Sequence, residues 1–214
     1  MRFTQANSAP RVSVIVPVFN REELIGRCLR SLLMQTMPAE GYEIIVVDDG
    51  SSDRSRFSVE LFIAKQDSLV SLISHESNRG LPAALNTGIQ RAKGDMIVRV
   101  DSDDFVSNHF LLSLFLFLDM NPAFAAVECD YELVDDDETL VRRVTSTEEP
   151  IGCGIMFRSD LMSEVGLYNE SIRLYEEREF RSRFEAHHGI EHLPLPLYRY
   201  RRHRRGGLTQ SPVA

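Results

Sequence analysis

Cysteine is scarce in this sequence, and the few that occur are far apart. The chain has 214 residues and only 3 cysteines, Cys28, Cys129 and Cys153, without a CxxC pair or a Cys/His cluster at metal-ligand spacing. This pattern argues against a disulfide-stapled scaffold and against a zinc module. Buried free thiols in a reducing compartment are expected instead, which predicts a cytoplasmic location.

Long apolar runs are also missing. The longest run, 110–118, is far short of the ~20 residues that a membrane-spanning helix needs. The first ten residues lack the apolar core of a secretory signal, so secretion by that route is not expected. An amphipathic or edge contact with a membrane or a partner stays open for 110–118, although burial against a sheet is the simpler interpretation.

Net positive charge is absent as well. The formal net charge is -8, which argues against a general nucleic-acid binder. Basic residues concentrate near the C-terminus, where a flexible tail is predicted either to clamp a diphosphate, to meet anionic lipid headgroups at a membrane surface, or to be merely solvated. The tail contains Arg199, Arg201, Arg202, His203, Arg204 and Arg205.

What the sequence does contain is a repeated alternation of apolar runs and helical patterns. Predicted strands cover 12–18, 42–47, 69–74 and 97–100, with helices expected from about Arg21, over 54–65 and from Leu81. Four strand–helix alternations in one domain predict a doubly wound α/β arrangement with a parallel sheet. Farther on, the pattern predicts a hairpin over 124–144, a helix over 175–184 and two short strands, 190–195 and 197–200.

Two of the predicted strands end in pairs of carboxylates. Asp48 and Asp49 follow the second strand, and Asp101 and Asp103 follow the fourth. In open α/β sheets the carboxyl ends of the strands face the ligand, so these acids are expected to converge there. Two carboxylates at such a turn suit a hard cation such as Mg²⁺ or Mn²⁺. The alternative is an acidic turn that is solvated or caps the next helix.

Two further segments complete the predicted site. Arg79 and the amide groups at the start of the helix from Leu81 are a candidate anion seat, with Gly80 providing the turn. Glu176 and Glu177 lie at the start of a later helix. Acids at that position also stabilise the helix dipole, so a purely structural role is the alternative.

The sequence resembles the family 2 glycosyltransferases of the GT-A fold from Val12 to Thr209. The resemblance rests on five segments in the family's order: VIVPVFN (14–20), VVDDGSSD (46–53), NRGLPAALNTG (78–88), VDSDD (100–104) and YEEREF (175–180). It implies an α/β fold of GT-A type, with a mostly parallel central sheet, helices on both faces and a small antiparallel part. One domain, 1–214, would contain a nucleotide-binding half at about 11–104 and an acceptor half at about 105–205.

The resemblance also implies roles for individual residues. Asp101 and Asp103 match the family's DxD motif, which binds Mn²⁺ or Mg²⁺ at the donor's diphosphate, and His203 matches a position near the pyrophosphate and is a further candidate ligand. The family's Glu-Asp pair falls on Glu176 and Glu177, so Glu177 is the expected base, with a side chain one methylene longer than usual. The implied nucleotide-binding residues are Pro17, Phe19, Asp48, Asp49, Asn78, Arg79, Gly80, Asp101 and Ser102.

The expected activity is transfer of a sugar from a nucleoside diphosphate sugar, with UDP-sugars preferred, to a glycan or lipid-linked acceptor. The reaction would be metal-dependent and inverting, and would serve cell-surface polysaccharide synthesis in a bacterial envelope. One alternative is a sugar-phosphate nucleotidyltransferase, which needs a glycine-rich, basic first loop that residues 17–20 do not supply. The other is a non-catalytic subunit that binds sugar nucleotides or glycans. Glu177→Gln separates the two cases, because binding would persist in both but only an enzyme would lose turnover.

Overall fold

The computed structural model describes residues 9–65, 69–172 and 174–202, which form an α/β fold around one sheet. The strands are β1 (Val12–Val18), β2 (Tyr42–Asp48), β3 (Val70–Ser74), β4 (Met96–Arg99), β5 (Phe105–Val106), β6 (Ala126–Val134), β7 (Leu140–Val144), β8 (Ile155–Arg158) and β9 (Ile190–Arg201). The helices are α1 (Ile25–Leu33), α2 (Ser55–Ile63), α3 (Leu81–Arg91), α4 (Phe110–Met120), α5 (Ser159–Val165) and α6 (Glu176–Glu185).

The first half of the sheet is parallel. Its strands lie in the order β3-β2-β1-β4, and each neighbouring pair is parallel. All seven residues of β1 are buried, as expected for a central strand covered by helices on both faces. The predicted doubly wound half is therefore confirmed, and the carboxyl ends of β1, β2 and β4 lie side by side at one edge.

The second half of the sheet continues from β4 with mixed pairing. β8 is antiparallel to both β4 and β6, while β6 is parallel to β9 and antiparallel to β7. The short strand β5 was not predicted; it follows the acidic turn after β4 and is antiparallel to β9. Strand β9 therefore comes back to the turn that follows β4, where the Tyr198 hydroxyl accepts a hydrogen bond from the Asp101 N–H.

Helices cover both faces of the sheet, as predicted. One apolar core contains residues of α1, α2 and α4, such as Leu29 and Phe110, and the other contains residues of α3, α5 and α6, such as Leu85 and Phe180. The apolar segment 110–118 is mainly inside the first core as α4. Within the described residues, none of the helices has both the length and the apolar character required to cross a bilayer.

Two boundaries differ from the prediction. α1 begins at Ile25 rather than near Arg21; the N–H of Arg21 donates to the side chain of Ser55, the first residue of α2, and the N–H of Glu22 donates to Asp53 in the loop before it. β9 is one strand, whereas two short strands were predicted around the prolines at 194 and 196. Register shifts on either side of Asp130 let β6 pair along the whole of β9, which places the irregularity in the pairing rather than ending the strand.

Two arginines of the predicted flexible tail are part of the fold. Arg199 and Arg201 belong to β9; Arg199 Nε lies 2.7 Å from Glu132 Oε2, and Arg201 is only 6% exposed. These two arginines are therefore part of the folded sheet rather than of a tail. His203, Arg204 and Arg205 lie outside the described residues.

Candidate active site

The loops after β1 and β2 are tied together at the edge where both strands end. Asn20, with φ of 51°, accepts hydrogen bonds from the N–H groups of Ser52 and Asp53 on its side-chain oxygen. Asp48 is 3% exposed, and its Oδ1 accepts a bond from the Ser51 N–H. Gly50 adopts φ of 72°, and a Cβ there would lie 2.5 Å from the carbonyl carbon of Ser77. These contacts hold the two loops in one conformation.

Asp49 fixes the third loop, which precedes α3. Its Oδ1 accepts a hydrogen bond from the Arg79 N–H at 2.9 Å, and its Oδ2 accepts one from the Gly80 N–H at 2.8 Å. His75 Nδ1 lies 2.6 Å from Asp49 Oδ1, and His75 Nε2 lies 2.9 Å from Thr87 Oγ1. The Asp49 side chain is only 4% exposed, so this carboxylate acts on the loop rather than presenting its oxygens to solvent.

The remaining nucleotide candidates surround this braced loop. Pro17 is buried in β1, whereas Phe19 is 41% exposed. Asn78 and Arg79 are exposed, and the Arg79 guanidinium lies 3.3 Å from Glu170 Oε2. Gly80 has φ of 97° and directly precedes α3. The exposed candidates are thus the aromatic ring of Phe19 after β1 and, in the loop that Asp49 fixes, the amide of Asn78 and the cation of Arg79.

The turn after β4 presents the predicted metal ligands, each paired with an arginine. Arg99 Nε and Nη2 donate to the two oxygens of Asp101 at 2.6 and 3.0 Å. Arg21 Nε donates to Asp103 Oδ2 at 3.2 Å. The side chains of Asp101 and Asp103 are 23% and 21% exposed. Ser102 between them is buried at 6% exposure.

A third carboxylate lies deeper in the same turn. Asp104 is 2% exposed and accepts hydrogen bonds from the Tyr198 O–H at 2.8 Å and from the Arg201 N–H at 2.7 Å. Burial, then the charges of Asp103 and Asp101, raise the pKa of Asp104 well above its usual value. One oxygen each of Asp101 and Asp104 and the Cys153 sulfur lie within 4.8 Å of one another.

The donor chemistry decides which of these groups suits the divalent ion that the sequence resemblance implies. Burial, followed by the nearby Asp101 and Asp104, raises the pKa of the Cys153 thiol, so at neutral pH it is a protonated and soft group that Mg²⁺ and Mn²⁺ do not favour. The partly exposed carboxylates of Asp101 and Asp103 are hard oxygen donors at the rim and fit such an ion. Asp104 instead serves Tyr198 and Arg201.

The start of α6 meets this turn from the second half of the sheet. Arg99 Nη1 lies 3.3 Å from Glu176 Oε1, so one guanidinium joins Asp101 to Glu176. Glu176 is 4% exposed. Its burial raises the pKa of its carboxyl group, and this effect exceeds the lowering by the positive charge of Arg99. Tyr175, just before the helix, adopts φ of 64°. The start of α6 is thus anchored to Arg99, the last residue of β4.

Glu177 faces a cavity beside this anchor. The cavity has a volume of about 400 Å³ and is lined by Glu149, Pro150, Ile151, Gly152, Ile155, Phe157, Tyr168, Glu177, Arg178, Phe180 and Arg181. A Cβ at Gly152 would clash with the Cβ of Glu177 and would lie 3.3 Å from Arg99 Nη1. The absence of a side chain at Gly152 therefore leaves room for Glu177.

Three residues of this arrangement were not predicted from the sequence. Arg99 was counted within an apolar strand, and His75 and Tyr198 were given no role. For Arg99 a signal was available, because a charged side chain in a buried strand requires a partner of opposite charge. His75 and Tyr198 carry no comparable signal, since their partners Asp49 and Asp104 are distant in sequence.

Solved glycosyltransferase structures share this fold. The structure of S. aureus TarS 1-349 in complex with UDP-GlcNAc superposes with a TM-score of 0.76 at 23% identity, covering 92% of this chain and 60% of TarS 1-349. The mannosyltransferase PcManGT from Pyrobaculum calidifontis, in complex with GDP-Man and Mn²⁺, gives a TM-score of 0.73 at 22% identity and covers 90% and 57%. The fold of the chain is the GT-A fold.

The family follows from a direct match. The family model for Glycosyl transferase family 2 matches residues 13–191, and the chain belongs to that family. It is 44% identical over 108 residues to a poly(ribitol-phosphate) beta-glucosyltransferase of Bacillus spizizenii, covering 50% of this chain and 17% of the relative. It is 31% identical over 150 residues to the Escherichia coli UDP-Glc:alpha-D-GlcNAc-diphosphoundecaprenol beta-1,3-glucosyltransferase WfgD, covering 67% and 56%. The chain thus spans between 17% and 56% of these relatives.

Proposed function

We propose that this protein is a metal-dependent, inverting glycosyltransferase that uses a nucleoside diphosphate sugar, with a UDP-sugar as the preferred donor. The observation that carries the proposal is the convergence, around Arg99, of Asp101 from the donor half and Glu176 from the acceptor half. Glu177 lies next to this junction and faces a cavity of about 400 Å³. This arrangement supports a donor site at Asp101 with a proton acceptor, Glu177, beside it.

The relatives support the donor and the acceptor class. TarS is described with UDP-GlcNAc and PcManGT with GDP-Man and Mn²⁺. WfgD is named for transfer from UDP-Glc to a diphosphoundecaprenol-linked sugar. For this chain we infer a glycan or lipid-linked acceptor in cell-surface polysaccharide synthesis. We also infer a cytoplasmic location, with membrane contact through the basic residues that follow β9.

The proposed division of the chain follows the sheet. Residues of about 11–104 would bind the nucleotide, since the braced loops after β1, β2 and β3 present Phe19, Asn78 and Arg79. Residues of about 105–205 would bind the acceptor, since the cavity beside Glu177 is built from them. Asp101 and Asp103 would hold the divalent ion at the boundary between the halves.

The chemistry assigns one step to each group. Glu177 accepts the proton of an acceptor hydroxyl while the oxygen of that hydroxyl attacks the anomeric carbon of the donor sugar. The bond from that carbon to the diphosphate oxygen breaks on the opposite side, so the configuration inverts. A bound Mn²⁺ or Mg²⁺ would supply neutralisation of the negative charge that develops on the leaving diphosphate. Arg79 and the amide groups before α3 offer further positive potential to that anion.

The experiment that tests the proposal separates donor binding from turnover. Wild-type protein is screened by thermal shift with UDP, GDP and their sugars, with and without Mn²⁺, because a ligand that binds the native state raises its apparent stability. Asp103→Asn is expected to abolish the part of the shift that depends on Mn²⁺, whereas Asp119→Asn, an exposed partner of Arg11, is the matched control. An equal shift in Asp103→Asn contradicts the assigned metal site.

Turnover is then measured as nucleoside diphosphate release from the donor that binds. Glu177→Gln is expected to bind the donor normally, but its turnover rate is expected to fall by a factor of ~10²–10⁴, because the variant lacks the proposed base. Unchanged turnover in this variant would remove Glu177 from the mechanism. Donor binding without turnover in the wild type would favour the non-catalytic binding subunit.

A further inference from the structure

Arg99 is the cation on which the candidate site is built. It is the last residue of the otherwise apolar strand β4, and its side chain is only 11% exposed. The guanidinium contacts both oxygens of Asp101 and one oxygen of Glu176. A buried guanidinium requires such partners, since an unpaired charge is strongly disfavoured away from water.

The position of these contacts matters for cation binding at Asp101. Both carboxylate oxygens of Asp101 already accept a hydrogen bond from Arg99, at 2.6 and 3.0 Å. A divalent ion at the same carboxylate would have to share these oxygens with the guanidinium or displace it. Two positive groups within a few ångströms repel each other, and they do so more strongly in a site that is largely shielded from water.

The second contact gives the guanidinium another partner. Glu176 Oε1 lies 3.3 Å from Arg99 Nη1, and Glu176 is buried at the start of α6, next to Glu177. An Arg99 side chain released from Asp101 therefore keeps a carboxylate partner, and that partner belongs to the helix that carries the proposed base. Arg99 therefore links the turn that contains Asp101 to the start of α6, next to the proposed base Glu177.

We propose that the Arg99 guanidinium, by pairing with Asp101 in the free protein, lowers the affinity of this carboxylate for divalent ions. When an ion binds together with the donor, the guanidinium moves away and the carboxylate of Asp101 binds the ion. Arg99 is thus a positioning residue rather than a catalytic one. The inference rests on the proposed function only in taking Asp101 as a metal ligand. It predicts that the protein without nucleotide binds Mn²⁺ weakly because of its own arginine.

The test measures Mn²⁺ binding to the full chain without nucleotide, by electron paramagnetic resonance of the free ion. Arg99→Met removes the charge while keeping an unbranched side chain, and we expect it to bind Mn²⁺ at least about tenfold more tightly than the wild type. A purely structural role for Arg99 predicts the opposite, because disorder at Asp101 would weaken the site. Unchanged or weaker binding overturns the proposal.

The double variant Arg99→Met/Asp101→Asn locates the effect. If Arg99 competes for Asp101, the gain in Mn²⁺ affinity disappears in the double variant. If the gain persists, the ion binds elsewhere and the proposal is overturned. Arg143→Met serves as a matched control, since Arg143 pairs with Glu132 on the β6–β7 hairpin, and its Mn²⁺ affinity is expected to equal that of the wild type.

A charge-conserving variant guards against failure of the neutral one to fold. Arg99→Lys keeps the positive charge but replaces the two-pronged contact by a point charge, so we expect Mn²⁺ binding to tighten by about two- to fivefold. No change or a loss of affinity in the folded lysine variant counts against the proposal. Because these measurements use no donor and no turnover, they remain decisive even if the protein proves to transfer no sugar.

Discussion

At the scale of single residues, Asp49 is a carboxylate whose two oxygens organise a loop. They accept the N–H groups of Arg79 and Gly80 and contact His75. Asp49→Asn replaces one acceptor oxygen by an NH₂ group that faces a donor, and we expect a loss of ~1–3 kcal/mol in the free energy of unfolding. Donor affinity should also fall, because Asn78 and Arg79 lose their support. Denaturant unfolding and calorimetric titration with UDP measure the two effects.

The matched control for Asp49 lies at the other end of the sheet. Asp119 pairs with Arg11, which directly precedes β1, and its side chain is 36% exposed. Asp119→Asn should change stability by no more than ~0.5 kcal/mol and should leave UDP binding unaltered. If Asp49→Asn bound UDP as tightly as this control, the loop before α3 would not be part of the nucleotide site.

Glu176 and Glu177 are neighbours with different surroundings, and their variants should separate them. Glu176 is 4% exposed and contacts Arg99, whereas Glu177 lines the cavity. Glu176→Gln keeps an oxygen that can accept the Arg99 bond, so we expect a loss of less than about tenfold in kcat, against ~10²–10⁴ for Glu177→Gln. Measuring kcat of both variants with the same donor decides which substitution costs more activity. A larger loss for Glu176→Gln would make the buried residue the base.

At the scale of elements, the segment before β8 and the start of α6 fit together through a glycine. A Cβ at Gly152 would clash with the Cβ of Glu177, a group close to the backbone that cannot swing away. Gly152→Ala is therefore expected to push α6 from β8, which lowers kcat by more than about tenfold and destabilises the fold by ~1–3 kcal/mol. Turnover and thermal unfolding of the variant provide the measurement.

Gly189→Ala is the corresponding control. A Cβ at Gly189 would lie 3.6 Å from Glu191 Oε1, an ordinary contact with a side chain. This variant should retain the activity and the unfolding temperature of the wild type. Equal behaviour of the two alanine variants would mean that α6 tolerates displacement and that the close fit at Gly152 has no functional part.

The same elements indicate how far local sequence patterns lead. The runs that become β1, β2 and β4 are apolar and β-branched, and each was predicted nearly to its ends. β9 was predicted as two strands, 190–195 and 197–200, yet β6 pairs along it as one strand with a shift in register at Asp130. β5 has only two residues, which is too short for any alternation to appear. Pairing with distant strands, rather than local propensity, decides both cases.

At the scale of the whole molecule, the parallel half was predictable and the junction between the halves was not. The acids at the ends of β2 and β4 were expected at one edge, and they lie there because neighbouring parallel strands end together. The contact between Arg99 and Glu176 joins residues 77 positions apart. No periodicity encodes such a pair; it follows from β8, β6 and α6 packing beside β4. The turn between β6 and β7 also reaches this junction, because Glu138 contacts Arg201, which donates to the Asp103 carbonyl oxygen.

The pH dependence of global stability should report on the buried acid at this junction. Because burial and neighbouring carboxylates raise the pKa of Asp104 in the folded state, the native protein binds more protons than the unfolded chain above the unfolded pKa of about 3.9. Its contribution to stability is therefore fully present below that pH and is lost as pH rises toward the folded pKa. Asp104→Asn removes the titration but keeps a group that can accept one hydrogen bond.

Denaturant unfolding of both proteins across pH 4–7, with a chelator present, isolates this contribution. Hydrogen bonds with Arg142 and Arg183 lower the pKa values of Glu149 and Glu179, but these groups are common to both proteins and cancel in the difference. We expect the stability of Asp104→Asn relative to the wild type to improve as pH rises, by up to ~1.4 kcal/mol per pH unit inside the window. A difference that is constant with pH, or that moves against the variant, would mean that Asp104 is charged in the folded protein. The Tyr198 and Arg201 hydrogen bonds would then outweigh its burial.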